Sequence, residues 1–162
     1  MNRTKLVFTR RAALLALGAL LLASAGCGGP SEEERVAEVF ADMVAGVESR
    51  DAGRLVGHLG ENYIDFEGRD RAATREMAES YFSRYRGIKV KLLSSRVTLE
   101  EGGRATAEVE VSLYSGVASA LRKAVGFDGE NYRFSCALAK GERWRIVEAG
   151  WEFVPVSGLF PE

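Results

Sequence analysis

The apolar positions of this chain follow three successive patterns, and each predicts a different kind of element. From Ala12 to Ser24 they form an unbroken run of Ala, Leu and Gly with one polar end. Val36, Val39, Phe40, Met43, Val44 and Val47 then recur at the spacing of a single helix face. Ser31 followed by Glu32, Glu33 and Glu34 supplies a cap and a capping box, so the spacing predicts one amphipathic helix from there to about Arg50. Asp51 opens a shorter helix through Leu55, Val56 and Leu59 that ends near Gly60 and contains His58. Tyr63-Ile64-Asp65-Phe66 is a brief extended segment broken by Gly68. A third helix follows from about Asp70 to Tyr85, with Ala73, Met77, Tyr81 and Phe82 on its apolar side.

Beyond Gly87 the period becomes two. Ile88, Val90 and Leu92 are separated by Lys89 and Lys91, and after Ser94-Ser95 the apolar set changes parity to Val97 and Leu99, which predicts a bulge or bend near the serines. Glu101-Gly102-Gly103 is a hairpin turn, and Ala105, Ala107, Val109, Val111 and Leu113 then alternate with polar residues as the clearest strand of the chain. Tyr132, Phe134, Cys136 and Leu138 alternate likewise, Lys140-Gly141-Glu142 turns the chain, and Trp144 to Val154 is the last strand. Three helices followed by a long antiparallel meander is an α+β order, with the sheet wrapped around the helices and a cavity at its open end. In the stretch 116–129, Val117, Ala120, Leu121 and Val125 suggest a short amphipathic helix, either a lid over the cavity mouth or a membrane-facing element, against the plainer alternative of a packed surface loop.

Charge divides the chain. Arg3, Lys5, Arg10 and Arg11 precede the apolar run, and no acidic residue occurs before Glu32. Removing those four from the 22 basic residues leaves 18 against 23 acidic ones, a formal charge of about −5, which argues against a nucleic-acid surface. A basic start followed by 13 apolar residues is a signal sequence, because a stable membrane span needs about 20. Ser24-Ala25-Gly26-Cys27 resembles the lipobox of bacterial lipoproteins. The resemblance implies a signal peptide over 1–26, acylation of Cys27 (diacylglycerol and palmitate), and a tether over 27–31 to a domain over 32–162. It departs from the pattern in having Ser24 in place of the usual aliphatic residue. The alternative is an ordinary signal cut near Ala25, and Thr9-Arg10-Arg11 leaves a twin-arginine route open beside the general secretory one. Gly28 in place of Asp after the cysteine implies the periplasmic side of the outer membrane.

The order of elements resembles the nuclear-transport-factor-2-like family of ketosteroid isomerases, scytalone dehydratases and polyketide cyclases. The likeness rests on Ser49-Arg50-Asp51, on Tyr63-Ile64-Asp65-Phe66-Glu67-Gly68 and on Arg145-Ile146-Val147-Glu148-Ala149-Gly150-Trp151. It implies a cone-shaped domain with a pocket, and it places Asp65 where the isomerases carry their proton-shuttling base. Enclosed by Phe66, Tyr63 and Trp151, that carboxyl would have a raised pKa suited to proton transfer. The donors that stabilise the oxyanion in those enzymes are missing, with Met43 at the place of a tyrosine and Cys136 at the place of a protonated Asp. The plainer role for Asp65 is to cap the third helix or to pair with Arg69 or Arg71. His58, the only histidine, is expected at the boundary of the core, with a dyad to Asp65 as the sharper alternative.

Met43, His58, Tyr63, Tyr81, Cys136 and Trp151 are the pocket-lining candidates. A single histidine supplies no metal-ligand cluster, Cys136 has no disulfide partner if Cys27 is acylated, and no cofactor is expected. The sequence therefore points to a membrane-anchored domain that binds a small apolar ligand or a protein partner. The alternative is an isomerase, dehydratase or cyclase using Asp65, and family resemblance adds the prospect of a homodimer through the outer sheet face.

Overall fold

The computed structural model describes residues 29–114 and 130–155. The expected signal peptide, Cys27 and the 116–129 segment lie outside the described residues.

Helix α1 (Glu32–Ser49) carries three glutamates in its first turn, where the unpaired amide groups favour negative charge. Glu32 also accepts hydrogen bonds from Trp144 Nε1 and Lys140 Nζ, each at 2.9 Å, which ties the start of the helix to the far end of the chain. Val36, Val39 and Phe40 form its buried stripe. The helix ends in a two-bond reversal in which the Arg50 N–H donates to the Val47 carbonyl and the Asp51 N–H to that of Gly46. Arg50 occupies the left-handed region there, with φ 58°.

Asp51 at once caps α2 (Ala52–Val56), its carboxylate accepting the Arg54 N–H at 2.8 Å. The two helices approach closely at Gly46, where an added Cβ would lie 3.1 Å from the Leu55 nitrogen. Helix α2 ends at Gly57 rather than Gly60, so Leu59 opens the first strand instead of closing the helix. Strand β1 (Leu59–Asp65) is longer than the four residues the pattern suggests. Helix α3 (Arg71–Arg84) begins at Asp70, whose side chain accepts the Ala73 N–H.

Strands β2 (Lys89–Glu100), β3 (Arg104–Tyr114), β4 (Glu130–Lys140) and β5 (Trp144–Phe153) pair antiparallel in sequence order. Strand β1 joins the outer side of β5 in parallel, which gives the curved five-stranded sheet the order β1-β5-β4-β3-β2. The meander is therefore antiparallel as its alternation predicts, and its edge is parallel. One helix, α3, intervenes before the chain returns to the sheet at β2, and the strand that pairs with β1 is the last one, so no tight turn constrains the direction of β1.

The parity change in β2 is a bulge between Leu92 and Ser94, just ahead of the serines. Val90 and Val97 are seven positions apart and would face opposite sides of a regular strand. The extra residue returns both to the inner face, where they pack on the core. Gly102 and Gly103, with φ 73° and 69°, form the hairpin that follows.

The main core lies where the α1 stripe meets Ala105, Ala107, Val109 and Val111 of β3, Leu138 of β4, and Trp144 and Ile146 of β5. A smaller cluster of Ala52, Ala78, Phe82 and Ile88 sits between α2, α3 and the entry to β2. The outer face is polar and laced by ion pairs between directly opposed residues, Arg96 with Glu108, Glu110 with Arg133, and Arg133 with Glu152.

Arg50 is an exposed arginine in a conformation that costs an L-residue about 1–2 kcal/mol, and its carbonyl-capping role needs only its backbone. Arg50→Gly should therefore raise the free energy of unfolding by about 1 kcal/mol, read as a higher denaturant midpoint with unchanged slope.

Candidate binding cavity

The helices do not cover the inner face of the sheet completely. Between them and the strands lies a cavity of about 380 Å³, to which α1, α2, α3 and all five strands contribute side chains. Five of the six residues singled out from the sequence line it: Met43 from α1, Tyr63 from β1, Tyr81 from α3, Cys136 from β4 and Trp151 from β5. Each comes from the inward parity of its strand or the apolar stripe of its helix. Met43 and Cys136 thus stand on the wall where the resemblance places hydrogen-bond donors, and they present a thioether and a thiol.

The polar atoms of the wall are few. Burial and the neighbouring Asp65 charge push the Tyr63 phenol up to about 12. Burial, with the hydrogen bond of its hydroxyl to Glu130 at 2.9 Å, pushes Tyr132 up to about 12. Burial alone pushes the Cys136 thiol up to about 12, so it is a buried, unreactive group at neutral pH. Tyr81 is raised in the same way, by burial and then by Tyr85 and Glu130. Aromatic rings crowd one side, with Phe134 6.0 Å from Trp151 and 6.4 Å from Tyr132 between ring centres.

Asp65 is not part of this wall. It ends β1 with its side chain fully enclosed, and its carboxylate accepts three hydrogen bonds: from the Glu67 N–H at 2.9 Å, the Arg69 N–H at 2.8 Å and Arg69 Nε at 2.8 Å. Burial by itself would push this carboxyl up. The Arg69 amide, the Arg69 guanidinium and the Glu67 amide outweigh it and hold the group below the usual carboxylate range. The expected raised pKa is thus corrected, and the pairing with Arg69 is the arrangement found. Arg69 also pairs with Glu67 and lies with its guanidinium carbon 5.1 Å from the centre of the Trp151 ring.

His58 lies at the boundary of the core as expected, but outside the helix and the cavity. Gly57 ends α2, and the His58 carbonyl accepts the Ile146 N–H at 2.9 Å, so the residue already belongs to the approach to the sheet rather than to a helix. Its side chain does not line the cavity. Its Nε2 lies 2.7 Å from a carboxylate oxygen of Asp42 on α1, so its acidic partner is Asp42 and not Asp65. Arg54 donates to the same carboxylate through Nε at 3.0 Å and through its terminal nitrogen. The Arg54 and His58 bonds hold Asp42 well below its ordinary value. Sixteen residues and a helix separate Asp42 from His58, and no local spacing announces that pair.

The outer face of the sheet forms a shallow trough of about 610 Å³ with a floor of small residues, among them Thr98, Thr106, Ser135, Ala137 and Gly150. Ile64 and Phe66 stand exposed at its β1 edge, and the Phe66 ring meets Trp151 edge to face at 4.6 Å between centres.

No family model and no curated protein sequence matches this chain. Solved structures resemble it in shape. A candidate scytalone dehydratase from Novosphingobium aromaticivorans superposes with a TM-score of 0.63 at 10% identity, covering 75% of this chain and 83% of that one. A candidate aromatic ring hydroxylase from the same organism gives 0.62 at 15% identity, covering 79% and 93%. A domain of unknown function with a cystatin-like fold from Nostoc punctiforme gives 0.64 at 13% identity, covering 80% and 82%. The chain has this cystatin-like, nuclear-transport-factor-2-like α+β fold. At such identities the likeness establishes architecture, and the chemistry has to be argued from the residues of the cavity.

Because the Asp65 carboxyl titrates lower in the folded chain than in the unfolded one, the stability it contributes is complete above about pH 4 and is lost as the pH falls through the folded value. Asp65→Asn should lower stability at neutral pH by about 1–3 kcal/mol, since Arg69 then loses its enclosed charged partner and keeps only Glu67. It should also flatten the acid limb of the stability curve, measured by urea unfolding at a series of pH values.

Proposed function

We propose that this chain is an exported, membrane-anchored lipoprotein whose domain binds a small apolar molecule in the cavity between its helices and the inner face of the sheet. The observation that carries the reading is the cavity itself: about 380 Å³, inside the roughly 300–1,000 Å³ range of small-molecule sites, with an apolar wall and a few hydroxyls and one thiol for orientation. Catalysis by Asp65 has no support in the geometry. It accepts three hydrogen bonds from Arg69 and Glu67, it borders the outer trough rather than the cavity, and its lowered pKa makes it a weak base.

The anchor rests on the pattern Ser24-Ala25-Gly26-Cys27 behind a basic start and a short apolar run. Acylated at Cys27 and carried to the outer membrane, the domain would work beside a bilayer, where apolar molecules concentrate.

Two measurements test the reading together. Wild-type protein should fractionate with membranes and carry a mass increment of three acyl chains on a peptide beginning at Cys27, whereas Cys27→Ser should lose both. Solvent extraction of the purified wild-type domain should release an apolar molecule at near-stoichiometric yield. An acyl-free Cys27 in a membrane-extracted form overturns the anchor, and an extract without apolar material overturns the binding role.

A further inference from the structure

The cavity wall contains no carboxylate, ammonium, guanidinium or imidazole among the described residues. The titratable groups it does contain are phenols and a thiol, at Tyr63, Tyr81, Tyr132 and Cys136, and burial pushes every one of them toward its uncharged form. The protein's own side chains therefore report the character of the space: it penalises charge on the groups that line it, and a ligand placed there meets the same desolvation.

We propose that the cavity selects uncharged molecules and excludes anionic amphiphiles, so that its occupant is a neutral lipophile rather than a fatty acid or another carboxylate, sulfonate or phosphate. This deepens the binding role proposed above and rests on it.

An anionic amphiphile can often enter an apolar pocket by leaving its head at the mouth, where a lysine or arginine receives it. Among the described residues, the charged groups that border this cavity do not offer that reception. Arg69 lies against Trp151, a wall residue, but its guanidinium is shared between Asp65 and Glu67, and that cluster of two carboxylates and one guanidinium is net negative. Its one donor without a partner, Nη2, is enclosed, and Arg69 does not line the cavity. On the other side, Glu130 accepts the Tyr132 hydroxyl and raises Tyr81 by its charge, so a second negative group stands beside two wall phenols. Arg133 is committed to Glu110 and Glu152 on the outer face. An anionic head therefore meets like charge at both described borders. A neutral molecule has no charge for these borders to repel, and the Tyr81 phenol is a polar group of the wall that can face it.

The test uses the full chain carrying Cys27→Ser, purified without detergent, which leaves every described residue unchanged. Three probes contain naphthalene and differ in charge: N-phenylnaphthylamine and its sulfonated counterpart anilinonaphthalene sulfonate, which share one anilinonaphthalene frame, and a naphthyl trimethylammonium salt as the cation. Fluorescence titration should show the neutral dye binding at least about tenfold more tightly than either charged probe. Binding of the neutral dye should be lost in Val44→Trp, which fills the cavity from α1, and in Met77→Trp, a half-exposed rim position that keeps the comparison valid if the first variant fails to fold. Equal or tighter binding of the sulfonate or the ammonium probe overturns the neutral-ligand inference while leaving the binding role intact. Failure of all three probes to bind overturns both, as does neutral-dye binding that persists in folded forms of both tryptophan variants.

Discussion

The buried carboxylate of Asp65 governs the passage on which the cavity depends. The chain must leave the sheet edge at β1 and start α3 within five residues, with its main-chain groups satisfied. Asp65 does this by accepting two amides of the turn and the guanidinium of Arg69, while its own N–H donates to the Arg69 carbonyl and its carbonyl accepts the Gly68 N–H. Gly68 supplies the positive φ of 78° that the reversal requires, and the Phe66 N–H reaches across to the Ala149 carbonyl of β5. With the turn held, Asp70 caps α3, and the helix lies where Thr74, Met77, Ala78 and Tyr81 form one wall of the cavity. A carboxylate that completes this many bonds is held in its charged form, and for the same reason it is unavailable as a proton acceptor.

The cavity follows from a mismatch between the area of the sheet and the helices that cover it. Helix α1 fills the end of the inner face nearest the hairpins, where Val36, Val39 and Phe40 meet Ala105, Ala107 and Leu138. Toward the other end, the larger side chains of β4 and β5, Phe134, Cys136 and Trp151, face α3 across a space. The bulge in β2 contributes as well, since it returns Val90 to the inner face and lets the edge of the sheet add to the same wall. The outer face carries none of this apolar surface in its centre, where small and ion-paired residues prevail. One sheet thus separates a cavity wall without charged side chains among the described residues from a charge-laced exterior.

Much of the architecture was legible in the residues. The apolar period of 3.6 around Val36 to Val47, the cap at Asp51, and the alternation from Ala105 to Leu113 each encode a local preference that the fold keeps, whereas the third helix is capped by Asp70 and not by Asp65. Inward strand parity at Tyr63, Cys136 and Trp151 and the apolar helix stripes at Met43 and Tyr81 agree with their places on the cavity wall, because a side chain on the buried face of an element has nowhere to go but the core or a space within it. The departures concern groups whose partners lie far away in sequence. The parallel direction of β1 is decided by β5, some 85 residues on, and the pairing of His58 with Asp42 by the approach of two helices.

What the sequence determined alone was the set of elements, their order and the side each residue presents, since these depend on neighbours within a few positions. A basic start, a short apolar run and a cysteine behind small residues are legible in the same local way. Only the tertiary structure decided what Asp65 is. The same carboxyl could be raised by an apolar enclosure or lowered by amides and a guanidinium, and the choice depends on which groups surround it in space. The tertiary structure likewise decided that the cavity wall is free of charge among the described residues, because it is bounded by residues from eight elements and no single stretch of chain contains its polarity.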